Sequence, residues 1–273
     1  NWHAPVHRYP VSTMKIVLTN DDGIKAPGLA AIADGLAALG VDFEIVAPAG
    51  ECSAIGHAVT LRRPLEANRV KIKGTGGAYS AYTLNGTPAD CVKFALTTLF
   101  DKSDVGLVAS GINRGPNTGI NVFYSGTVAA AMEAAIHGVP ALAASVDFTD
   151  AAGQAHYARA AAMLAEAVAA SLKASPHHIP LWNLNFPAEH KPLRGVVLTR
   201  QSRGGFREKY RKDSKTRSWP RRYSIFGHYV PEGRDIFSDS YAVHVGYISV
   251  TPLGLDLTHH SSRLKSPPHA MLN

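Results

Sequence analysis

Asp21 and Asp22 are adjacent carboxylates that follow a short apolar run, Lys15–Thr19, in the string KIVLTNDDG. A run of this kind suits a strand buried on both faces of a parallel sheet. The two acids then leave the strand's carboxyl end, the edge at which open α/β sheets place their ligands. Two like charges in a partly dry crevice raise each other's pKa unless a cation compensates them. Oxygen ligands of this type suit a hard divalent ion, Mg²⁺ or Mn²⁺. Asn20, beside them, is a further candidate for contact with a bound phosphate. The competing reading is a plain polar turn, because Asn, Asp and Gly are ordinary turn formers.

Other loops offer groups that could join the pair. A second apolar run ends near Ala47, and the loop after it brings Ser53, with His57 as a weaker candidate. A third run, Val105–Ser110, leads into GINRGPNTG, which carries Asn113 and Asn117. An Asn amide oxygen is a good ligand for Mg²⁺ or Mn²⁺. Ser125, Gly126 and Thr127 stand where the next helix should begin, and exposed N–H groups with hydroxyls at a helix start suit a phosphate. Asn85-Gly86-Thr87 precedes another helix, where Thr87 is either an anion contact or a simple cap. The plain alternative at Ser125–Thr127 is likewise a capped helix after an Asn-rich turn.

These groups need elements to position them. After the acids, Pro27 suits the first turn of a helix and Gly40 its end. Leu29, Ile32, Leu36 and Leu39 fall on one face between them. Val41–Ala47 reads as the second strand, so the opening is a βαβ unit and the sheet is parallel. There is no G-x-G-x-x-G and no P-loop, which argues against a dinucleotide or Walker-type site. Residues 81–100 read as strand, turn and a helix opened by Pro88. The helix after Thr127 closes at Gly138 and Pro140, before the strand ALAAS. Residues 154–173 form an amphipathic covering helix with Tyr157, Ala161, Leu164, Val168 and Leu172 on one face. LWNLNFP and VVLT are further strands, and YAVHVGYISVTPL reads as a late strand.

The chain has 273 residues, 45% of them apolar, enough for one sizeable core. No apolar run approaches the length of a membrane span. Two cysteines give no disulfide framework or zinc pattern, which fits a reducing cytoplasm. Residues 1–13 read as a leader outside the fold, residues 14–257 as one α/β domain and residues 258–273 as a tail. The net charge of +7 is concentrated: residues 200–222 hold ten Lys/Arg and two acids, interleaved with Phe206, Tyr210 and Trp219. This segment reads as a solvated hairpin or subunit arm. The alternative is a non-catalytic nucleotide- or RNA-binding role in which the same segment takes the lead.

In combination and in order, TNDDG-I-x-A-P-G, S-A-x-G-H, L-N-G-T-P-A-D-C-V, S-G-I-N-R-G-P-N and Y-S-G-T-V-A-A-A-M-E resemble the stationary-phase survival protein SurE family. GYISVTPL resembles that family's C-terminal strand, and the likeness runs from Met14 to about Leu257. It implies a Rossmann-like three-layer α/β fold with a mostly parallel sheet, a protruding hairpin and a C-terminal extension. It implies a metal-dependent phosphatase acting on nucleoside monophosphates, with activity on short polyphosphate and assembly as homodimers or homotetramers. By motif, the family's metal ligands fall on Asp21, Asp22, Ser53 and Asn113, and its phosphate-side groups near Asn117, Ser125, Gly126 and Thr127. Ala49 and Cys52 depart from the family pattern without removing a ligand. A covalent aspartyl-phosphate is the rival chemistry. It fits poorly, because phosphatases of the haloacid dehalogenase type space their acids D-x-D and here the acids are adjacent.

Overall fold

The computed structural model describes residues 14–147, 154–173, 181–213 and 219–258. The proposed leader, 1–13, and the tail from 259 onward lie outside the described residues. Nine strands form one sheet in the order β3-β4-β2-β1-β5-β6-β7-β11-β8. They are β1 (Lys15–Thr19), β2 (Phe43–Pro48), β3 (Ala67–Lys73), β4 (Ala78–Leu84), β5 (Val105–Arg114), β6 (Ala141–Val146), β7 (Leu181–Phe186), β8 (Gly195–Leu198) and β11 (Tyr247–Leu253). From β4 to β7 every pairing is parallel. β3 is antiparallel to β4, and β11 is antiparallel to β7. This is the α/β architecture the sequence predicts.

Alternation along β1 divides the core. Ile16 and Leu18 face one side, where α1 (Pro27–Ala38) and α4 (Gln154–Lys173) cover the sheet. Val17 faces the other, packed with α2 (Pro88–Phe94) and α3 (Gly126–Ile136). Helices on both faces explain why β1 and β6 are nearly all apolar rather than alternating. Pro27 opens α1, and Gly40 follows its end at φ +65°. Tyr157, Ala161, Leu164 and Val168 of α4 are all buried, as the periodicity predicts.

The path of the chain matters most for the site. From β1 it steps outward to β2, on to the edge strand β3 and back to β4 between them. It then returns to β5 on the other side of β1 and steps outward again through β6 to β7. The reversal falls between β1 and β5, so a crevice opens at their carboxyl ends. β5 also runs further than its apolar run suggests. A register shift between Ser110 and Asn113 lets it continue to Arg114, which puts Asn113 at the strand's end rather than in the following loop.

One sequence expectation is corrected here. The stretch read as one late strand is α5 (Asp239–His244) followed by β11, because the Ser238 and Gly246 positions bracket a single helical turn before the strand starts. Of the two readings at Thr87 the cap holds, since Thr87 and Asp90 form a reciprocal capping box at α2. The basic segment forms β9 (Gly205–Lys212), paired antiparallel with β10 (Tyr223–Val230) as a separate two-stranded sheet. Among the described residues, no helix is long and apolar enough to cross a membrane.

Gly28 lets the first turn of α1 ride directly over β5. A methyl group there would overlap the Ile112 carbonyl oxygen and press on the Tyr157 ring. Gly28→Ala should therefore destabilise the fold by about 1–3 kcal/mol. Gly254→Ala, where an added methyl meets nothing within 4 Å, should leave the melting temperature unchanged. Thermal melts followed by circular dichroism distinguish the two.

Candidate active site

Asp21 is buried where β1 meets the start of α3. Its Oδ1 accepts the Thr127 hydroxyl at 2.5 Å. The N–H groups of Gly126 and Thr127 also favour its charged form. Burial outweighs them and pushes its pKa above the usual carboxylate value. Gly126 is required for this approach, since a Cβ there would lie 2.8 Å from Asp21 Cβ. Asp22 is half-buried, and its Oδ2 accepts the Arg114 N–H at 3.4 Å. Burial first, and then the neighbouring Asp21 charge, push its pKa up to about 6. Glu51 adds a smaller push in the same direction.

Asn113 Nδ2 donates to the Gly115 carbonyl at 2.8 Å, which fixes the amide and leaves its oxygen as the group to offer a ligand. Ser53 is exposed, and its hydroxyl donates to Glu51 Oε1 at 2.7 Å. One residue earlier, the Cys52 N–H donates to the Asp21 carbonyl at 2.7 Å, which ties the Ser53 loop to the acids. The four residues expected to hold a metal therefore lie on segments that converge at the β1/β5 crevice. Among the described residues, no three His, Cys, Asp or Glu side chains group to hold a metal. An ion here would depend on Asn113 and Ser53 to complete its protein ligands. Two carboxylates held above their ordinary pKa, with neutral oxygens beside them, fit a hard divalent cation.

The groups expected on the phosphate side are more committed. Ser125 Oγ accepts the Val128 N–H at 3.0 Å and so caps α3, and the Thr127 hydroxyl is used on Asp21. Asn117 is buried, and its Nδ2 donates to Ser145 Oγ at 2.8 Å. Its backbone is gripped by β7: Asn183 Nδ2 donates to its carbonyl at 2.7 Å, and its N–H donates to Asn185 Oδ1 at 2.8 Å. Asn20 Nδ2 donates to the Gly23 carbonyl at 2.9 Å, while its buried Oδ1 has no protein partner. These side chains are committed to the protein's own structure around the crevice.

Several positioning residues are missing from the sequence reading. Asn183 and Asn185 had a signal: two amides two residues apart in an apolar strand must share one face. Fully buried Asp239 takes N–H groups from Gly119, Ser202 and Ser240, binding the active-site turn to α5 and the hairpin base. The Tyr229 hydroxyl of β10 shares a hydrogen bond with the Thr118 hydroxyl and ties the hairpin to the same segment. Neither long-range pairing has a local sequence signature.

An all-parallel core with paired acids at its reversal point defines a Rossmann-like α/β protein with a switch-point ligand site. The family model described as Survival protein SurE matches residues 16–208. The chain is 42% identical over 260 residues to a 5'-nucleotidase SurE of Natranaerobius thermophilus, covering 91% of this chain and 95% of that one. It is 42% identical over 254 residues to a 5'-nucleotidase SurE of Geotalea daltonii, with 91% and 96% covered. The solved structure of a SurE protein from Aquifex aeolicus superposes with a TM-score of 0.73 at 31% identity, covering 89% of this chain and 94% of that one. This chain belongs to the SurE family.

Without a cation, the charged pair works against the fold. A carboxylate raised from 3.8 to about 6 holds its proton in the folded chain at pH values where the unfolded chain has lost it. Its contribution to stability therefore declines as pH rises from about 4 to 6 and stays unfavourable above. At pH 7.5, metal-free Asp22→Asn should melt higher than the parent, by roughly 2–4 °C. The gain should disappear near pH 4, and scanning calorimetry in a chelator reads both.

Proposed function

We propose that this protein is a divalent-metal-dependent phosphomonoesterase that hydrolyses nucleoside monophosphates to nucleoside and phosphate. Membership of the SurE family carries hydrolase activity of the phosphatase and nucleotidase kind. Metal dependence and substrate class rest on the site. The observation that supports them best is the juxtaposition of Asp21, Asp22 and Asn113 at the β1/β5 reversal, with the start of α3 against Asp21.

In this reading Asp21, Asp22, Ser53 and Asn113 hold one Mg²⁺ or Mn²⁺. When bound, that ion supplies positive charge against the phosphoryl oxygens, whose own charge otherwise repels a nucleophile. Thr127 and the α3 amides fix the Asp21 carboxylate, so its geometry does not have to be organised during the reaction. Asn183 and Asn185 hold the backbone at Asn117, and Asp239 holds it at Gly119. The turn that must face the phosphate is thereby kept rigid. Short-chain polyphosphate, which presents the same terminal phosphoryl group, is a second expected substrate. With two free cysteines, the protein would work in a reducing cytoplasm.

We also infer that the hairpin joins copies of this chain into a dimer or tetramer. Nearly every residue of β9 and β10 is exposed, including Tyr210, Ile225 and Phe226. A lone two-stranded sheet is marginal in water. Its aromatics are partly covered by cations, with the Arg211 guanidinium 4.3 Å from the Phe226 ring centre and Arg221 4.8 Å from that of Trp219.

Phosphate release from AMP and GMP should require Mn²⁺ or Mg²⁺ and stop in EDTA. Asp21→Asn and Asn113→Ala should each lower turnover by about 10²–10³-fold while the circular dichroism spectrum is kept. Turnover that survives chelation, or variants that unfold, would discard this reading. Ile225→Glu should reduce the mass found by light scattering to that of one chain, and a monomeric parent would remove the assembly role.

A further inference from the structure

Between β2 and β3, residues 49–66 form neither helix nor strand, and most are exposed. This loop carries Ser53, yet it is fastened by side chains of two helices behind it. Asp90 of α2 accepts the Thr60 N–H at 2.9 Å and the Thr60 hydroxyl at 2.6 Å. Glu133 of α3 accepts from His57 Nε2 at 2.8 Å. The Gly56 N–H donates to the Tyr124 carbonyl at 2.9 Å. Ser53 is therefore bracketed, with Cys52 anchored on Asp21 and His57 anchored on Glu133.

Glu133 is an unusual anchor. Its side chain is 3% exposed, and its oxygens also receive Lys93 Nζ at 2.6 Å and His137 Nε2 at 3.1 Å. A buried carboxylate held from α2 and from its own helix has no freedom to follow a moving loop. Lys93 already pairs its charge from α2, so the ion pair between the helices does not need His57. The His57 contact adds something different: it fixes an exposed, irregular loop to the helix whose first turn holds Asp21.

We propose that His57 and Glu133 are positioning residues for Ser53, holding the loop that carries it beside the β1 acids before any ion arrives. This rests on the reading of Ser53 as a metal ligand. An exposed loop free to wander would have to be ordered on binding, at a cost in affinity. Outer residues that orient a ligand commonly matter by 10–100-fold in metal affinity.

Four variants of the full chain test this: His57→Ala, His57→Gln, Ser53→Ala, and His57→Ala combined with Ser53→Ala. Calorimetric titration with Mn²⁺ should show about 10-fold weaker binding for His57→Ala. His57→Gln, whose amide can still donate to Glu133, should recover most of that loss. Once Ser53 is Ala, adding His57→Ala should change affinity by less than about 2-fold, because the effect runs through the missing hydroxyl. Hydrogen exchange on metal-free protein should show faster amides at 51–56 in His57→Ala and unchanged amides in α3. Additive losses in the double variant, or unaltered exchange of the loop, would overturn the proposal. A parent chain that binds no Mn²⁺ would overturn the metal reading instead, and loop exchange, measured without metal, still decides whether His57 holds Ser53.

Discussion

Two carboxylates on consecutive residues, drawn into a crevice that water only partly reaches, are the constraint around which this fold is arranged. Left alone, Asp21 and Asp22 repel each other and resist burial. The surroundings do not remove that conflict. They fix its geometry: Thr127 and the α3 amides hold Asp21, the Arg114 N–H meets Asp22, and Glu51 adds further negative charge nearby. A structure organised only for stability would not concentrate acids here. One organised to receive a cation has reason to tolerate them.

The topology supplies the crevice, and buried polar groups at its rim supply the rigidity. Because the chain reverses direction across the sheet between β1 and β5, their ends part and leave room for a ligand. Each loop that reaches this opening is held from behind by a buried side chain on another element. Asn183 and Asn185 hold the turn at Asn117, Asp239 holds it at Gly119, and Glu133 and Asp90 hold the Ser53 loop. Loops without regular structure thereby gain the fixed placement that a reactive site needs, while their tips stay open to substrate. Asp239 and Tyr229 also connect the segment at Thr118 and Gly119 to the base of the hairpin, so hairpin and crevice share one polar network.

Much of this was legible in the sequence, for physical reasons. Fully buried parallel strands leave apolar runs, and KIVLT, VGLVAS and ALAAS mark β1, β5 and β6. Pro27, Gly40, Pro88 and Gly138 mark helix ends because their backbone preferences suit only those positions. The acids at the end of β1 and the amide after β5 could be named as candidates because strand ends are where such sheets expose chemistry. What stayed hidden was nonlocal or short-range in the wrong sense. Nothing near Glu133 announces that His57, 76 residues away, will meet it. At Ser125 the capped-helix alternative holds, but nothing local announces that the Thr127 hydroxyl is used on Asp21, 106 residues away. The single turn of α5 hid inside an apolar stretch because short helices and strands share that composition.

The central claim is that oxygen atoms from separate loops meet on one ion. Diffraction at the manganese absorption edge, from crystals soaked in Mn²⁺, measures this most directly. The account predicts one strong anomalous peak per subunit, within bonding distance of Asp21, Asp22 and Asn113, with Ser53 beside it. A crevice without a peak, or a peak bound elsewhere while these side chains point apart, would contradict it.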